Sequence, residues 1–272
     1  MKVLVTGVTG FIGRRLRKYL EDKGVAVYGI SRSKAEGLEN CYQISVVERE
    51  KLVDFVKAEG FDAVIHLAAL TKRRYGNIPK EEYFKVNVEG TKNVLEAAEQ
   101  VGARVVFAST SGVYTSAKHP YFESKRAAEK LCEEHGATIA RIFNVYGEGK
   151  GKDVLEIFIL KALSNEPLTV NANQVRDFIY VDDVCQALWL LAEKGEAGAY
   201  DVGTGIGTPI EELAKLIIKL TGSSSSIAVN PSPPTVSVAD VSKLKELGFE
   251  VTVPLEEGVR RVVEYYKEKL SK

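Results

Sequence analysis

The chain has 272 residues, 45% hydrophobic and 27% charged, which fits one large α/β domain or a nucleotide domain with a smaller lobe and excludes a disordered tail protein. Lys plus Arg (37) equals Asp plus Glu (37); a partner of nucleic acid or of an anionic membrane would carry a basic excess. Charge interrupts every apolar run well short of the ~20 residues that span a bilayer, and the scattered Cys41, Cys132 and Cys185 read as reduced core thiols of a cytoplasmic protein.

The first predicted strand, residues 3–6, runs straight into Thr6-Gly7-Val8-Thr9-Gly10-Phe11-Ile12-Gly13, leaving no room for a signal peptide. A helix is expected at 11–23, so the Gly-x-x-Gly-x-x-Gly spacing lies between a strand and a helix. There Gly7 permits a tight turn, Gly10 lets backbone approach a pyrophosphate, and Gly13 lets helix pack on strand. The amides at the helix start favour an anion, which makes Gly7, Thr9, Gly10, Phe11, Ile12 and Gly13 the expected cofactor loop. A second strand, 25–30, ends in Ser31-Arg32-Ser33-Lys34, where a carboxylate for the ribose of NAD is expected. A guanidinium there can grip a 2′-phosphate, so Ser31 and Arg32 favour NADP(H), with NAD(H) as the alternative. The other reading of Arg32 is a stack on adenine that selects nothing.

Further strands are expected at 63–66, 105–108 and 138–142 and helices at 49–59, 80–101 and 122–135. This alternation predicts a Rossmann-type doubly wound parallel sheet. The strand at 105–108 leads into the hydroxyl-rich turn Ser109-Thr110-Ser111-Gly112-Val113-Tyr114, then Tyr121-Phe122-Glu123-Ser124-Lys125. Tyr121 and Lys125 share one helix face at i, i+4. An adjacent ammonium favours phenolate, so Tyr121 is a candidate acid/base for an alcohol–carbonyl pair. Thr110, at the ligand-binding edge of the sheet, can donate to the same oxygen. After 147 the pattern loosens into a helix at 153–164, a strand at 176–181, a helix at 183–193, a strand at 199–202 and helices at 209–220 and 255–269. The domain reading is 1–147, with 171–195 returning to it, and a small C-terminal lobe of 148–170 and 196–272.

Taken in order, these motifs resemble the extended short-chain dehydrogenase/reductases, in their branch of NAD(P)-dependent nucleotide-sugar epimerases and dehydratases of 4-epimerase type. His66-Leu67-Ala68-Ala69, the run 87–93, Arg141-Ile142-Phe143-Asn144-Val145-Tyr146-Gly147, the run 176–184, Tyr200-Asp201-Val202-Gly203-Thr204-Gly205 and Leu255-Glu256-Glu257-Gly258 carry the rest of the resemblance. It implies Thr110, Tyr121 and Lys125 as catalytic residues. It implies Ser45, Val46, Leu67, Ala68, Ala69, Asn87, Ala108, Ser109, Phe143, Asn144 and Val145 as cofactor contacts, beside the loop, Tyr121 and Lys125. Thr71, Thr110, Ser111, Asn144 and Arg176 are implied at the substrate, Arg176 toward a diphosphate; its alternative is an ion pair with Asp177 or Asp183. It further implies a homodimer through helices 80–101 and 122–135 and a nucleotide-sugar or other small carbonyl/hydroxyl substrate.

The departures narrow this. Dehydratases of the family carry an acidic pair after the threonine, where Ser111 and Gly112 stand here, so elimination lacks its acid and base. The stretch 231–240 lacks the late cation that pairs with a phosphate; Lys72, Arg73 and Arg74 either compensate or form a solvated loop. His66 and His119 have no partners at ligand spacing, so no metal is expected, with His66 bonded to backbone and His119 exposed. The reading is an NAD(P)-dependent epimerase. An NADPH-dependent carbonyl or keto-sugar reductase, and a non-enzymatic NADP(H) sensor, are the alternatives.

Overall fold

Short apolar runs bounded by turns form strands here because both faces of a parallel sheet are buried. The computed structural model describes residues 1–33, 37–71, 78–151 and 153–271; Lys34, Lys72, Arg73 and Arg74 lie outside them. In chain order the strands are β1 Lys2–Thr6, β2 Ala26–Ser31, β3 Cys41–Gln43, β4 Ala63–His66, β5 Arg104–Thr110, β6 Thr138–Ile142, β7 Asn144–Tyr146, β8 Leu168–Asn171, β9 Gln174–Tyr180, β10 Gly198–Val202, β11 Gly207–Pro209, β12 Ile227–Asn230 and β13 Thr235–Ser237. The helices are α1 Phe11–Asp22, α2 Arg49–Glu59, α3 Lys80–Phe84, α4 Gly90–Glu99, α5 Pro120–Glu134, α6 Val154–Leu163, α7 Val181–Lys194, α8 Ile210–Thr221, α9 Ser242–Glu246 and α10 Leu255–Leu270.

The chain divides into two units, one of Met1–Ile142, Cys185–Asp201 and Ser242–Phe249 and one of Phe143–Val184, Val202–Val241 and Glu250–Lys272. In the first, the seven-stranded parallel sheet has the order β10-β6-β5-β4-β1-β2-β3. Order reverses at β1, where β2 lies to one side and β4 to the other. The loops after β1 and β4 therefore diverge at the carboxyl edge, the place where such sheets hold ligands.

The expected helix at 80–101 is three pieces. Lys85–Glu89 is a π-helical turn joining α3 to α4. A single π turn puts one extra residue into the helix, a device common at functional sites. β3 was not foreseen, because its three residues are partly or fully exposed and carry no alternation. β10, expected in the small lobe, extends the large sheet: the Gly198 amide donates to Ala137 O at 3.2 Å.

The second unit holds a sheet of order β11-β9-β13, with β7 also on β9, and the pair β12-β8. Because β9 pairs within this unit, the return to the first begins only at Cys185 and ends at Asp201, later than the expected 171–195. Asp177, fully buried, accepts from the amides of Thr204 (2.9 Å), Gly205 (2.9 Å) and Ala239 (3.2 Å). Asp183 likewise accepts from the amides of Thr252 (2.9 Å) and Val253 (3.2 Å). Neither carboxylate is spent on Arg176, so the ion-pair alternative for that residue falls.

Candidate active site

The loop after β1 is shaped by its glycines. Gly7 adopts φ +70°, and a Cβ there would stand 2.9 Å from the Ala68 amide nitrogen. A Cβ on Gly13 would collide with the backbone of Gly7 and Val8. Gly10 is the N-cap of α1 and offers no side-chain cap, and the first turn contains no acidic residue. The amides of Phe11, Ile12 and Gly13 thus lack an intrahelical partner, and beside them stands the partly exposed Thr9. That donor set, with no side chain in the way, suits the pyrophosphate of a dinucleotide.

Leu67 and Ala68 lie against this loop, and Ala69, next in the chain, is half-buried. The Leu67 amide donates to Thr6 O (3.2 Å) and the Ala68 amide to Thr6 Oγ1 (3.1 Å). The Thr6 hydroxyl donates to His66 Nδ1 (2.7 Å), His66 Nε2 to Thr91 Oγ1 (3.0 Å), and Thr91 Oγ1 to Asn87 O (2.7 Å). Donors and acceptors alternate along this chain only if the imidazole is neutral. His66 is thus held by two threonine hydroxyls, not by backbone. Burial, then the charge of Lys125, lowers its pKa from 6.5 to about 3. The unfolded chain takes up this proton as pH falls through 6.5 while the fold refuses it until about 3, so stability is lost as pH falls through that window. Denaturant unfolding should show about 3 kcal/mol of this loss between pH 7 and pH 4. His66→Gln, which titrates nothing, should remove that share; an unchanged pH dependence would refute the assignment.

Asn87, in the π turn, is buried. Its side chain accepts from the Leu70 amide (2.8 Å) and donates to Leu70 O (3.0 Å) and Ser124 Oγ (3.0 Å). It clamps the end of the 67–70 segment to α5, a structural task the resemblance alone did not give. Ser45 and Val46 are also engaged within the fold: the Ser45 amide donates to Glu48 Oε2 (2.7 Å), and Val46 O accepts from Asn93 Nδ2 (2.9 Å). At the end of β2 the Ser31 hydroxyl donates to Ser33 O, while Arg32 is exposed. Thr71 is exposed and Ser111 half-buried.

α5 carries Tyr121 and Lys125, the candidate catalytic residues. Its cap is His119, whose Nδ1 accepts from the Tyr121 amide at 3.1 Å; the imidazole expected to be exposed is half-buried beside Tyr83 and Phe122. Thr110 Oγ1 accepts from the Gly112 amide at 3.2 Å, and its hydroxyl acts on the Tyr121 phenol, drawing the pKa down. Burial pushes the Tyr121 pKa up to about 12, against the pull of Thr110. Lys125, 3% exposed, donates to Ala108 O at 2.6 Å and sits 4.1 Å over the Phe107 ring; burial pulls it down to about 8. Lys125 is not among the groups acting on the phenol, so the tuning of Tyr121 by Lys125 expected from the i, i+4 spacing is not in place while the ammonium rests on Ala108. Ser109, expected at the cofactor, spends its hydroxyl on Glu129 Oε1 at 2.5 Å.

Gly112 is filled from the side. A Cβ built there would run into the Phe122 ring, with Cζ 3.0 Å away. The position therefore accepts no side chain unless Phe122 moves. Sequence reasoning saw the glycine but not the ring; Phe122, directly after Tyr121, points back over the turn.

In the second unit, Asn144 Nδ2 donates to Asp177 O (2.9 Å), Phe143 is buried with Ala239 and Val241, and Val145 is half-buried. Arg176 donates to Val175 O (2.8 Å), Thr235 O (3.1 Å) and Gln174 Oε1 (3.3 Å). Its neighbours are neutral oxygens, and burial lowers its pKa, so the guanidinium favours an arriving anion. Among the described residues no cluster of His, Cys, Asp or Glu could hold a metal ion, and no helix is long and apolar enough to cross a membrane.

Comparison with known proteins agrees with this geometry. Residues 3–203 match the NAD dependent epimerase/dehydratase family. UDP-glucuronic acid decarboxylase 3 of Arabidopsis thaliana is 32% identical over 309 residues, covering 100% of this chain and 90% of that protein. The UDP-glucose 4-epimerase of Thermotoga maritima, solved with UDP-glucose, superposes with a TM-score of 0.86 at 30% identity, covering 99% and 100% of the two chains. The UDP-glucose 4-epimerase of Thermus thermophilus, solved with NAD, gives 0.83 at 27% identity and 98% and 99% coverage.

Proposed function

The chain belongs to the NAD dependent epimerase/dehydratase family, and from that premise we propose that it is a nucleotide-sugar epimerase inverting a carbinol centre, in the manner of a 4-epimerase. The observation that carries this reading is the complete Thr110–Tyr121–Lys125 set beside a position 112 closed by Phe122. Elimination needs a carboxylic acid and a base next to the reacting carbon. Gly112, closed by an aromatic ring, and Ser111 beside it supply neither, whereas removal and return of a hydride needs no carboxyl pair.

A bound nicotinamide supplies the hydride acceptance and return that no side chain can perform. The chain's own residues do the rest. The amides of Phe11, Ile12 and Gly13 hold the diphosphate. Tyr121, which burial keeps protonated in the empty site, must first give up that proton; as phenolate it takes the proton of the substrate alcohol when the hydride leaves and returns it to the carbonyl oxygen when the hydride comes back. Thr110 orients the phenol and lowers the cost of the phenolate. Lys125 anchors a ribose once its ammonium exchanges Ala108 O for the sugar hydroxyls. Phe107 and Phe122 line the surroundings with apolar surface that keeps water away from the proton transfer. In the second unit, Arg176 offers an unneutralised cation to a sugar-linked diphosphate.

The test supplies UDP-glucose and UDP-glucuronic acid in turn with nicotinamide cofactor and follows the sugar by NMR. An inverted sugar formed without net cofactor consumption is the expected result. Carbon dioxide release, or cofactor oxidised in step with product, would replace this reading with a decarboxylase or with the reductase alternative.

The choice of dinucleotide turns on Arg32. With the Ser31 hydroxyl engaged by Ser33, support for NADP(H) narrows to the Arg32 charge, and NAD is the cofactor in the Thermus thermophilus structure. If the guanidinium reads a 2′-phosphate, Arg32→Ala should weaken NADP(H) by about 1.5–3 kcal/mol and leave NAD(H) unchanged. Equal titrations of both cofactors before and after the substitution would end the NADP(H) preference.

A further inference from the structure

Three consecutive residues at the end of β5 each meet one of three residues spaced four apart on α5. Ala108 O takes Lys125 Nζ at 2.6 Å, the Ser109 hydroxyl donates to Glu129 at 2.5 Å, and Thr110 acts on the Tyr121 phenol, lowering its pKa. Positions 121, 125 and 129 lie on one helix face. Two of these ties belong to the chemistry proposed above. The third, Ser109–Glu129, has no role in it.

Glu129 is buried, 5% exposed. It is also fixed from the far side. Arg141 on β6 donates through Nη2 to Oε2 at 2.7 Å and through Nε to Oε1 at 3.1 Å. Arg141 in turn donates to the Tyr114 hydroxyl at 3.0 Å, which donates to Asp201 on β10 at 2.7 Å. The carboxylate has its oxygens filled and its orientation set, so it cannot swing away from Ser109. A buried, fully bonded carboxylate of this kind is costly to place and adds little to stability over apolar packing.

We propose that Glu129 is a positioning residue: it fixes the Ser109–Thr110 end of β5 against α5 and sets its carboxylate on the helix face that carries Lys125. Lys125 faces Cys132 and Glu129 on its own helix, Ala108 O and the Phe107 ring on β5, and His66 on β4. Burial lowers its pKa, and Cys132 and then Glu129, a carboxylate, act to raise it. A neutral Lys125 would not hold a ribose by charge.

The kinetic arm of the test rests on the proposed epimerase reading; the spectroscopic arm does not. Two variants separate the strut from the charge. Ser109→Ala removes the strut and keeps both charges, whereas Glu129→Gln keeps an acceptor for Ser109 and removes the charge. The Lys125 titration is followed by NMR of lysine labelled at Cε, assigned by its loss in Lys125→Met. The expected result is a lower Lys125 midpoint in Glu129→Gln and an unmoved one in Ser109→Ala. Turnover should fall about 3- to 10-fold in Ser109→Ala and further in Glu129→Gln, with KM unchanged in both. The high-pH limb of turnover should move down only in Glu129→Gln. Should Glu129→Gln not fold, the charge-balanced pair Glu129→Gln/Arg141→Gln takes its place, and Ser109→Ala still reads the strut. A Lys125 midpoint unchanged without Glu129, or wild-type turnover in Ser109→Ala, overturns the proposal. Failure of the unaltered protein to convert any nucleotide sugar overturns the epimerase reading instead, and the Lys125 midpoint still decides the role of Glu129.

Discussion

Tyr121→Phe should lower turnover by ~10²–10⁴-fold, the share that general acid/base catalysis commonly carries. The substitution deletes one hydroxyl and little else. The helix cap is made by the Tyr121 backbone amide to His119, which Phe retains. The ring packing against Tyr83 (6.3 Å between centroids) and Phe122 (5.3 Å) is equally open to Phe. Removing a buried hydroxyl that burial already keeps protonated leaves the Thr110 oxygen bonded to the Gly112 amide, so the turn after β5 persists. Cofactor affinity, read by fluorescence titration, should match the unaltered protein, and helix content by circular dichroism should not change. Full turnover with the variant would place the chemistry on other residues and reduce this constellation to a structural remnant.

What the sequence discloses, and what it hides, follows from how each feature is encoded. The core strands β1, β4 and β6 are legible because a strand covered on both faces must be apolar throughout, and Val3–Val5 and Ala63–Ile65 are nearly wholly buried. The phosphate loop is legible because only glycine tolerates φ +70° at Gly7 and the backbone contact at Gly13. Tyr121 and Lys125 are legible as a spacing, but their electrostatics are not. The spacing suggested that the ammonium tunes the phenol, whereas in the fold Lys125 is drawn to Ala108 O and burial governs both groups. The π turn is hidden because Lys85–Glu89 keeps a helical pattern, and only the demand for the Asn87 side chain at Leu70 and Ser124 explains the extra residue. β10 is hidden because its five residues read as a strand in either unit; the partner, β6, is 60 residues back in the chain and leaves no local trace. Phe122 over Gly112 belongs to this class: a contact between a turn and the following helix, invisible until both are placed.

Lys125→Met should abolish activity and make the protein more stable. Lys125 is 3% exposed and has no carboxylate within ion-pair distance among the described residues; its ammonium meets a carbonyl and a ring face. Burial lowers its pKa from 10.5 to about 8. At pH 7 the lysine is charged in the folded and unfolded chain alike, so the fold carries the whole cost of desolvating the charge, about 3 kcal/mol from a shift of that size. Between pH 8 and 10.5 the folded protein sheds this proton before the unfolded chain does, so the cost fades as pH rises. Methionine has nearly the same length and no charge to bury. Its gain at pH 7, reduced by the lost bond to Ala108, should be about 1–3 kcal/mol by denaturant unfolding. That gain should shrink toward zero near pH 10.5, where the unaltered protein is already neutral at this site. Turnover, in contrast, should fall by at least the ~10²-fold expected for Tyr121→Phe, because the ribose anchor beside the acid/base residue is lost. A residue that costs stability where it stands is retained for what it does. A Lys125→Met protein that is both less stable and still active would show the reverse, a lysine kept to hold β5 and α5 together.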